Sequence, residues 1–422
     1  MDVIQGLLEG IPLPKMVRVK QTFPDNPISD IVVALREELN QSEITKRLRP
    51  GMSIAIGVGS RGVAQIPLLV KTTVEFLKEQ KTYPFVVPAM GSHGGATEEG
   101  QREVLQNLGV TEEYIGCPIK ATMDVVELGR LDNGLPVYLD KYAAEADGII
   151  SLNRVKPHTC FRGPNESGMI KMLTIGLGKQ KGAESCHSYG FQYMAEHLVA
   201  MAKIMMEKAP VLFGIGTVEN AYDRIIRISV VPKEDMLETD RQMQVQAKEH
   251  LAKLYFEQID VLVIDRIGKD ISGDGMDPNI TGRYPSPYAT GGPKVSKMLV
   301  LDLTEQTHGN ANGMGTADFS TRKLFDKIDF VATYANGLTS TVVGPTHVPT
   351  ILETDRDAIL AGIKTSNARD FSKVRLVRIK DTLHMDEIWV SEAMLDEVRQ
   401  HHQMKVLSEP TLMRFDEAGN LL

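Results

Sequence analysis

Histidines, glycines and a lysine gather in three stretches of this chain. The first is Gly57-Val58-Gly59-Ser60-Arg61-Gly62 and the second is Gly91-Ser92-His93-Gly94-Gly95. The third runs from Asn153-Arg154-Val155-Lys156-Pro157-His158, through Ser167-Gly168-Met169-Ile170-Lys171, to Cys186-His187-Ser188. Glycine lets backbone approach a ligand closely, arginine offers a permanent cation to an anion, and histidine changes charge near neutral pH. Lys171 sits between Ile170 and Met172, where an unpaired cation is costly to bury, so it is expected to be paired or chemically used. Anion binding, proton transfer and metal ligation are the chemistries this set allows.

Each stretch also has a plain structural explanation. Gly57 through Gly62 matches G-x-G-x-x-G, but a dinucleotide fold also wants an acidic residue ending the next strand, and that strand ends in Val87-Pro88-Ala89. A close backbone approach to an anion, with Arg61 as its cation, fits better than a dinucleotide; a simple turn with a surface arginine is the bland alternative. His93 precedes Thr97-Glu98-Glu99, a helix start, so it either serves chemistry on a glycine-walled loop or caps that helix.

The elements that must position these residues alternate. Apolar runs of strand length at 53–59, 84–91, 147–155 and 211–220 are separated by helical patterns at 66–80, 97–109 and 192–208. The alternation returns after 259–268, with 296–303, 325–337 and 356–366. It predicts an α/β fold: two α/β domains with mostly parallel sheets and an interdomain cleft. The expected division is an N-terminal catalytic domain over 1–245 and a C-terminal domain over 246–390 that closes over substrate. The boundary lies in the charged segment 232–258, and residues 391–422 form a helix and tail returning to the first domain. Loops at the carboxyl ends of parallel strands are where ligands sit, which places all three stretches correctly. The glycine- and acid-rich run Gly268 to Asn279 reads either as a ligand-approaching loop or as a solvated surface loop.

Composition narrows the partners. A chain of 422 residues with 42% hydrophobic residues can bury more than one core, and a net charge of −8 without a basic run speaks against nucleic acid. No apolar stretch approaches the roughly 20 residues needed to span a bilayer, and the N-terminus lacks a signal-peptide pattern, so the expected location is the cytoplasm without a membrane partner. Cys117, Cys160 and Cys186 lack paired C-x-x-C spacing and are expected to be reduced thiols. Nothing in the sequence opposes a homo-oligomer.

Taken together and in order, Ser60-Arg61, Gly91-Ser92-His93, Asn153 through His158, Ser167-Gly168-Met169-Ile170-Lys171 and His187 resemble the nickel-dependent lactate racemase family over about residues 50–220. The spacings look like the family's own, except that the interval from His158 to Lys171 is longer. The resemblance implies a racemase or epimerase of a small 2-hydroxy acid. It also implies a nickel-pincer nucleotide, a pyridinium mononucleotide holding nickel through two sulfur-bearing arms, supplied by separate cofactor-synthesis enzymes. By position it makes Lys171 the covalent tether, His187 the nickel ligand, His93 and His158 the acid–base pair, and Arg61 the group steadying the substrate. Ser60, Gly59 and Gly168 would line the cofactor. One histidine suffices for nickel where sulfur donors fill the other positions, and hydride removal from C2 avoids pulling an unacidic proton.

Two departures bear on the match. The family's early loop has an aspartate where Val58 stands, and the glutamine and lysine of its second-domain element are missing around Asp277-Pro278-Asn279. Substrate preference is therefore expected to differ from lactate, with Lys269 or Arg283 reaching across the cleft to the substrate carboxylate. Two rival readings remain at this point: a zinc-type hydrolase in which His93, His158 and His187 all ligate the metal, and a non-catalytic nickel-nucleotide binding protein.

Overall fold

The computed structural model describes residues 3–60 and 63–422. The chain forms two compact units, Pro24–Leu251 and a second unit made of Met1–Phe23 together with Ala252–Leu422.

In Pro24–Leu251, the strands Ser53–Val58, Tyr83–Pro88, Gly148–Arg154, Val211–Glu219 and Ile225–Pro232 form one sheet. Their order places 83–88 at one edge, then 53–58, 148–154, 211–219 and 225–232. The first four run parallel, and only 225–232 is antiparallel to its neighbour. Strands covered on both faces read as continuous apolar runs, as in Ser53-Ile54-Ala55-Ile56-Gly57-Val58, where every residue after Ser53 is buried. The helix Ile66–Glu79 turns Ile66, Leu69, Val70, Thr73, Val74 and Leu77 inward at helical spacing. The chain winds from 53–58 outward to 83–88 and then returns on the other side of 53–58 to form 148–154. That reversal is the switch point at which an open parallel sheet offers a crevice.

The second unit is built on a 9-stranded sheet. The strands Gln258–Ile264, Lys294–Val300, Phe319–Thr321, Thr350–Leu352 and Leu376–Ile379 are mutually parallel. Glu387–Ser391, Lys15–Gln21, Met404–Val406 and Thr411–Leu412 complete it in antiparallel fashion.

Several expectations are corrected here. Residues 1–23 do not join the N-terminal unit, because Lys15–Gln21 alternates buried and exposed side chains and finds its partners in 387–391, 404–406 and 411–412. For the same reason the tail 391–422 packs within its own unit. The segment 232–258 holds a 15-residue helix, Met236–His250, with Met236, Asp240, Met243, Gln244 and Ala247 buried, and the two units divide after it, between Leu251 and Ala252. Trp389 lies in a strand, Glu387–Ser391, and the run 325–337 leads into a helix, Phe330–Ser340. Among the described residues no helix is long and apolar enough to cross a membrane.

Candidate active site

The switch point of Pro24–Leu251 lies between the ends of 53–58 and 148–154, where the first and third stretches begin. Gly59 is needed there: a Cβ on it would come within 2.9 Å of the Met172 methyl and 3.5 Å of Asn153 Oδ1. Ser60 follows, and its hydroxyl makes a short hydrogen bond with Nδ1 of His93. Arg61 and Gly62 lie outside the described residues. Just beyond them, Glu219 Oε1 accepts from the Ala64 amide at 2.7 Å, and its other oxygen pairs with Arg154.

His93 does not cap the following helix. That role belongs to Thr97, whose Oγ1 accepts from the Gly100 amide at 3.0 Å. The His93 loop is held from beneath by Gln101, fully buried, whose Nε2 donates to the Gly91 carbonyl at 2.8 Å and to the His93 carbonyl at 3.3 Å. Gln101 Oε1 in turn accepts from Lys179 Nζ at 3.0 Å. Lys179 also donates to the Pro88 carbonyl and pairs with Asp140 at 3.2 Å, both side chains being fully buried. Burial pushes the Asp140 carboxyl up and the Lys179 ammonium down, each opposed by attraction to the other.

The third stretch has its own anchors. Ser167 Oγ accepts from the Lys156 amide at 2.7 Å and donates to the Lys156 carbonyl at 2.6 Å, closing the loop between them. Inside that loop the His158 amide donates to Glu166 Oε2 at 2.8 Å, and His158 Nδ1 accepts from the Cys160 amide at 3.0 Å. Glu166 is fully buried and is met by Lys248 Nζ at 2.6 Å and Arg162 Nη1 at 3.3 Å. Lys171 ends a short helix, Gly168–Lys171, that starts on a left-handed glycine: at Gly168 φ is +78°, and a Cβ would lie 2.5 Å from Asp240 Oδ1. Asp240 accepts from the Met169 and Ile170 amides at 3.2 and 2.9 Å. Burial, only partly offset by those amides, raises its carboxyl to about 7. Leu237, Asp240 and Lys248 thus lie on one stripe of the Met236–His250 helix, since Asn165 Nδ2 also reaches the Leu237 carbonyl at 2.9 Å.

A wide π turn, Met172–Gly176, then leads into the helix Lys179–His187. Such turns concentrate at functional positions. His187 Nδ1 lies 2.6 Å from the Ala183 carbonyl, so it must donate there, and the neutral ring carries its lone pair on Nε2. Burial lowers the imidazole from its ordinary value; the Ala183 carbonyl opposes this and the Lys171 charge reinforces it. Burial pushes the Cys186 thiol up to about 12, with the same Lys171 charge opposing the rise. A neutral imidazole with an oriented Nε2 is what a metal requires.

The structure therefore gathers these residues into pairs. Ser60 meets His93, Gly59 meets Met172 and Asn153, and Lys171 acts on His187. His158 and His187 share Phe191, at ring-centroid distances of 6.0 and 5.4 Å. A Cβ on Gly91 would touch Ile175 at 3.3 Å and Ala183 at 3.6 Å, so the His93 loop lies against the helix that bears His187. Among the described residues no three His, Cys, Asp or Glu side chains converge as a metal-holding group, so the three histidines do not form the zinc triad. All three cysteines are buried, and none is in a disulfide.

Lys269 and Arg283 belong to the other unit. Lys269 Nζ donates to the Gly273 carbonyl at 2.6 Å. Arg283 Nη2 meets Asp318 at 2.9 Å and the Val295 and Ser296 carbonyls at 3.1 and 2.9 Å, so its guanidinium is engaged inside its own unit. Asp240, Glu166, Gln101 and the Lys179–Asp140 pair are supports that sequence reading missed. Only Glu166, inside the third stretch, had a nearby signal.

Residues 14–196 match the family model described as the lactate racemase N-terminal domain. No curated protein sequence matches the chain. Among solved structures, a Thermotoga maritima protein is similar with a TM-score of 0.53 and 12% identity, over 86% of this chain and 99% of that one. The lactate racemase apoprotein from Thermoanaerobacterium thermosaccharolyticum aligns with a TM-score of 0.47 and 13% identity, over 87% of this chain and 88% of that one. At these identities, likeness to the Thermotoga protein speaks to the fold alone, and the second alignment is too loose to bear on function.

Proposed function

Starting from the lactate racemase N-terminal domain carried by residues 14–196, we propose that the chain is a racemase or epimerase of a small 2-hydroxy acid that works with a nickel-pincer nucleotide. The observation that carries this reading is the arrangement of His187 and Lys171. One half-buried imidazole is fixed through Nδ1 to the Ala183 carbonyl with Nε2 left to a metal, and a lysine lies close enough for its charge to lower that imidazole. A single histidine without further protein ligands is a poor zinc site and suits a metal whose other positions are filled by a sulfur-bearing cofactor. The glycines fit the same group: Gly59 and Gly91 stand where side chains would meet Met172 and Ile175, keeping the loop walls thin.

In this reading Lys171 holds the cofactor covalently, His187 ligates its nickel, and Ser60, Gly59 and Gly168 border it. When bound, the cofactor would supply an electron-poor ring able to act as hydride acceptor and donor for C2. The chain's residues then manage the hydroxyl proton. His93, with Nδ1 on the Ser60 hydroxyl, takes it at Nε2, because a serine hydroxyl can accept from Nδ1–H. His158 differs. Its Nδ1 accepts from the Cys160 amide, which puts the neutral ring's proton on Nε2, and in this reading Nε2–H donates to a substrate oxygen. To act as base for the other enantiomer it must give up that contact and change tautomer. Arg61 steadies the substrate carboxylate or its developing oxyanion.

Co-expression with cofactor-synthesis enzymes tests the assignment. The expected product contains nickel and a mass increase on the peptide bearing Lys171, and His187→Ala loses the nickel. Nickel bound without any adduct on Lys171 contradicts the proposal.

A further inference from the structure

The rule that located the first site also applies to the second unit. Its parallel strands run outward from Gln258–Ile264 through 294–300 and 319–321 to 350–352, and Leu376–Ile379 then returns on the other side of 258–264. The switch point therefore lies where 258–264 and 376–379 end, and ligands of open parallel sheets sit there. The chain segments leaving it remain paired for two more residues: the Asp265 amide donates to the Ile379 carbonyl at 3.0 Å and the Arg266 amide to the Lys380 carbonyl at 3.1 Å.

Arg266, Asp381 and His384 occupy that point. The Asp381 carboxylate is fully buried, and its Oδ2 accepts from Arg266 Nε at 3.0 Å. Oδ1 accepts from His384 Nδ1 at 2.6 Å and from the Leu383 and His384 amides at 3.0 Å each. Burial alone would raise this carboxyl, but His384, Arg266 and the Leu383 amide together hold it below its ordinary value. The side chains of Arg266 and His384 are 39% and 51% exposed, so the buried carboxylate fixes two groups that face outward. Neighbouring carboxylates are committed elsewhere. Asp265 takes Arg378 at 2.8 and 3.1 Å, Asp270 takes the Thr304 hydroxyl at 2.5 Å, and Asp277 caps the Pro278–Thr281 turn. The loop carrying Asp277 is fastened to the same corner, its amide donating to Thr382 Oγ1 at 2.9 Å.

With Nδ1 turned to Asp381, His384 presents Nε2 outward, while Arg266 presents cationic donors. That set matches a molecule with a hydroxyl beside an acid group. We propose that the switch point of this unit is a second binding site, formed by Arg266 and His384 on Asp381, for a small hydroxy carboxylate. It needs no cofactor and is independent of the chemistry proposed for Pro24–Leu251.

The test uses the whole chain without cofactor, titrated calorimetrically with glycolate, with acetate, which lacks only the hydroxyl, and with inorganic phosphate. Glycolate is expected to bind more tightly than acetate. Arg266→Ala should weaken both acids, and His384→Ala should weaken glycolate alone, each by at least about tenfold, as expected for hydrogen bonds to or from charged groups. His384→Ala keeps both amides on Asp381 Oδ1, so its melting temperature should stay near wild type, which separates binding from folding. His384→Gln, which keeps a polar end, gives a second check. The proposal is overturned if glycolate does not bind, if its affinity is unmoved by both changes, if it is lost only in His93→Ala or His158→Ala, or if phosphate outcompetes both acids.

Discussion

At the switch point of Pro24–Leu251, the His93 loop and the turn before Lys171 rest on buried partners far away in sequence. Lys179 and Asp140 lie beneath the His93 loop through Gln101, and Asp240 holds the turn before Lys171 from 70 and 71 residues away. In the other unit the loops also carry short-range ties, Lys269 reaching Gly273, Asp277 accepting from Asn279 and Asp381 gripping His384 three residues on, beside the long-range Arg266–Asp381 and Asp277–Thr382 bonds. Both regions are rich in glycine and charge. The difference teaches that local ties hold a loop's shape, whereas placing histidines and a lysine together takes buried polar groups brought from other elements, at a desolvation cost that only complete pairing offsets.

Removing a remote support should therefore cost most. Lys179→Met leaves Asp140 buried without its cation, and such a loss typically destabilises by about 3–5 kcal/mol. Chemical denaturation of the whole chain checks this. Lys179→Met together with Asp140→Leu should recover much of the stability, and a near-neutral single change would break the comparison.

The histidines come next. His93→Ala and His158→Ala should each lower turnover of loaded enzyme by about 10² or more, the lower end for a general acid or base, with the Lys171 adduct retained. A destabilised but active His93→Ala would return that residue to a structural role, although Thr97 already fills the cap.

Asp240 gives the comparison a pH signature. Its carboxyl rises from 3.8 to about 7 in the folded chain, so between those values the folded state holds a proton that the unfolded state has released. Stability from this group is then fully present below the unfolded value and falls as pH climbs toward 7. Asp240→Asn removes the titration, and the gap in melting temperature between wild type and variant should move in favour of the variant from pH 4 to about 7; a constant gap contradicts the buried-carboxylate account.

The smallest effect is expected in the other unit. Arg283→Ala removes bonds to Asp318 and three carbonyls, and should cost about 1–2 kcal/mol of stability with KM unchanged. A raised KM at unaltered stability would restore the substrate role expected from sequence.

What was legible in the sequence follows from range. Strands such as 53–58 and 148–154 are continuous apolar runs, and the helix 66–79 has a clean periodic face, so local pattern suffices for them. Lys15–Gln21 pairs with strands some 370 to 400 residues later, which no local pattern announces. The charged composition of Met236–His250 favours a helix, but it does not announce that the buried Asp240 accepts from the Met169 and Ile170 amides some 70 residues earlier. Ser60, His93, His158, Lys171 and His187 stood out by type and order. Their supports did not, since a buried Lys179 or Glu166 looks like any surface charge until its partner is known.

The most direct test of the racemase reading is isotope retention. A single enantiomer of lactate or a related 2-hydroxy acid, deuterated at C2, is incubated in ordinary water with the cofactor-loaded enzyme, and the inverted product is examined by mass spectrometry. Direct return of the C2 hydrogen predicts product that keeps its deuterium. Inversion with washout of the label to solvent would mean proton abstraction in place of hydride return, and would contradict the account.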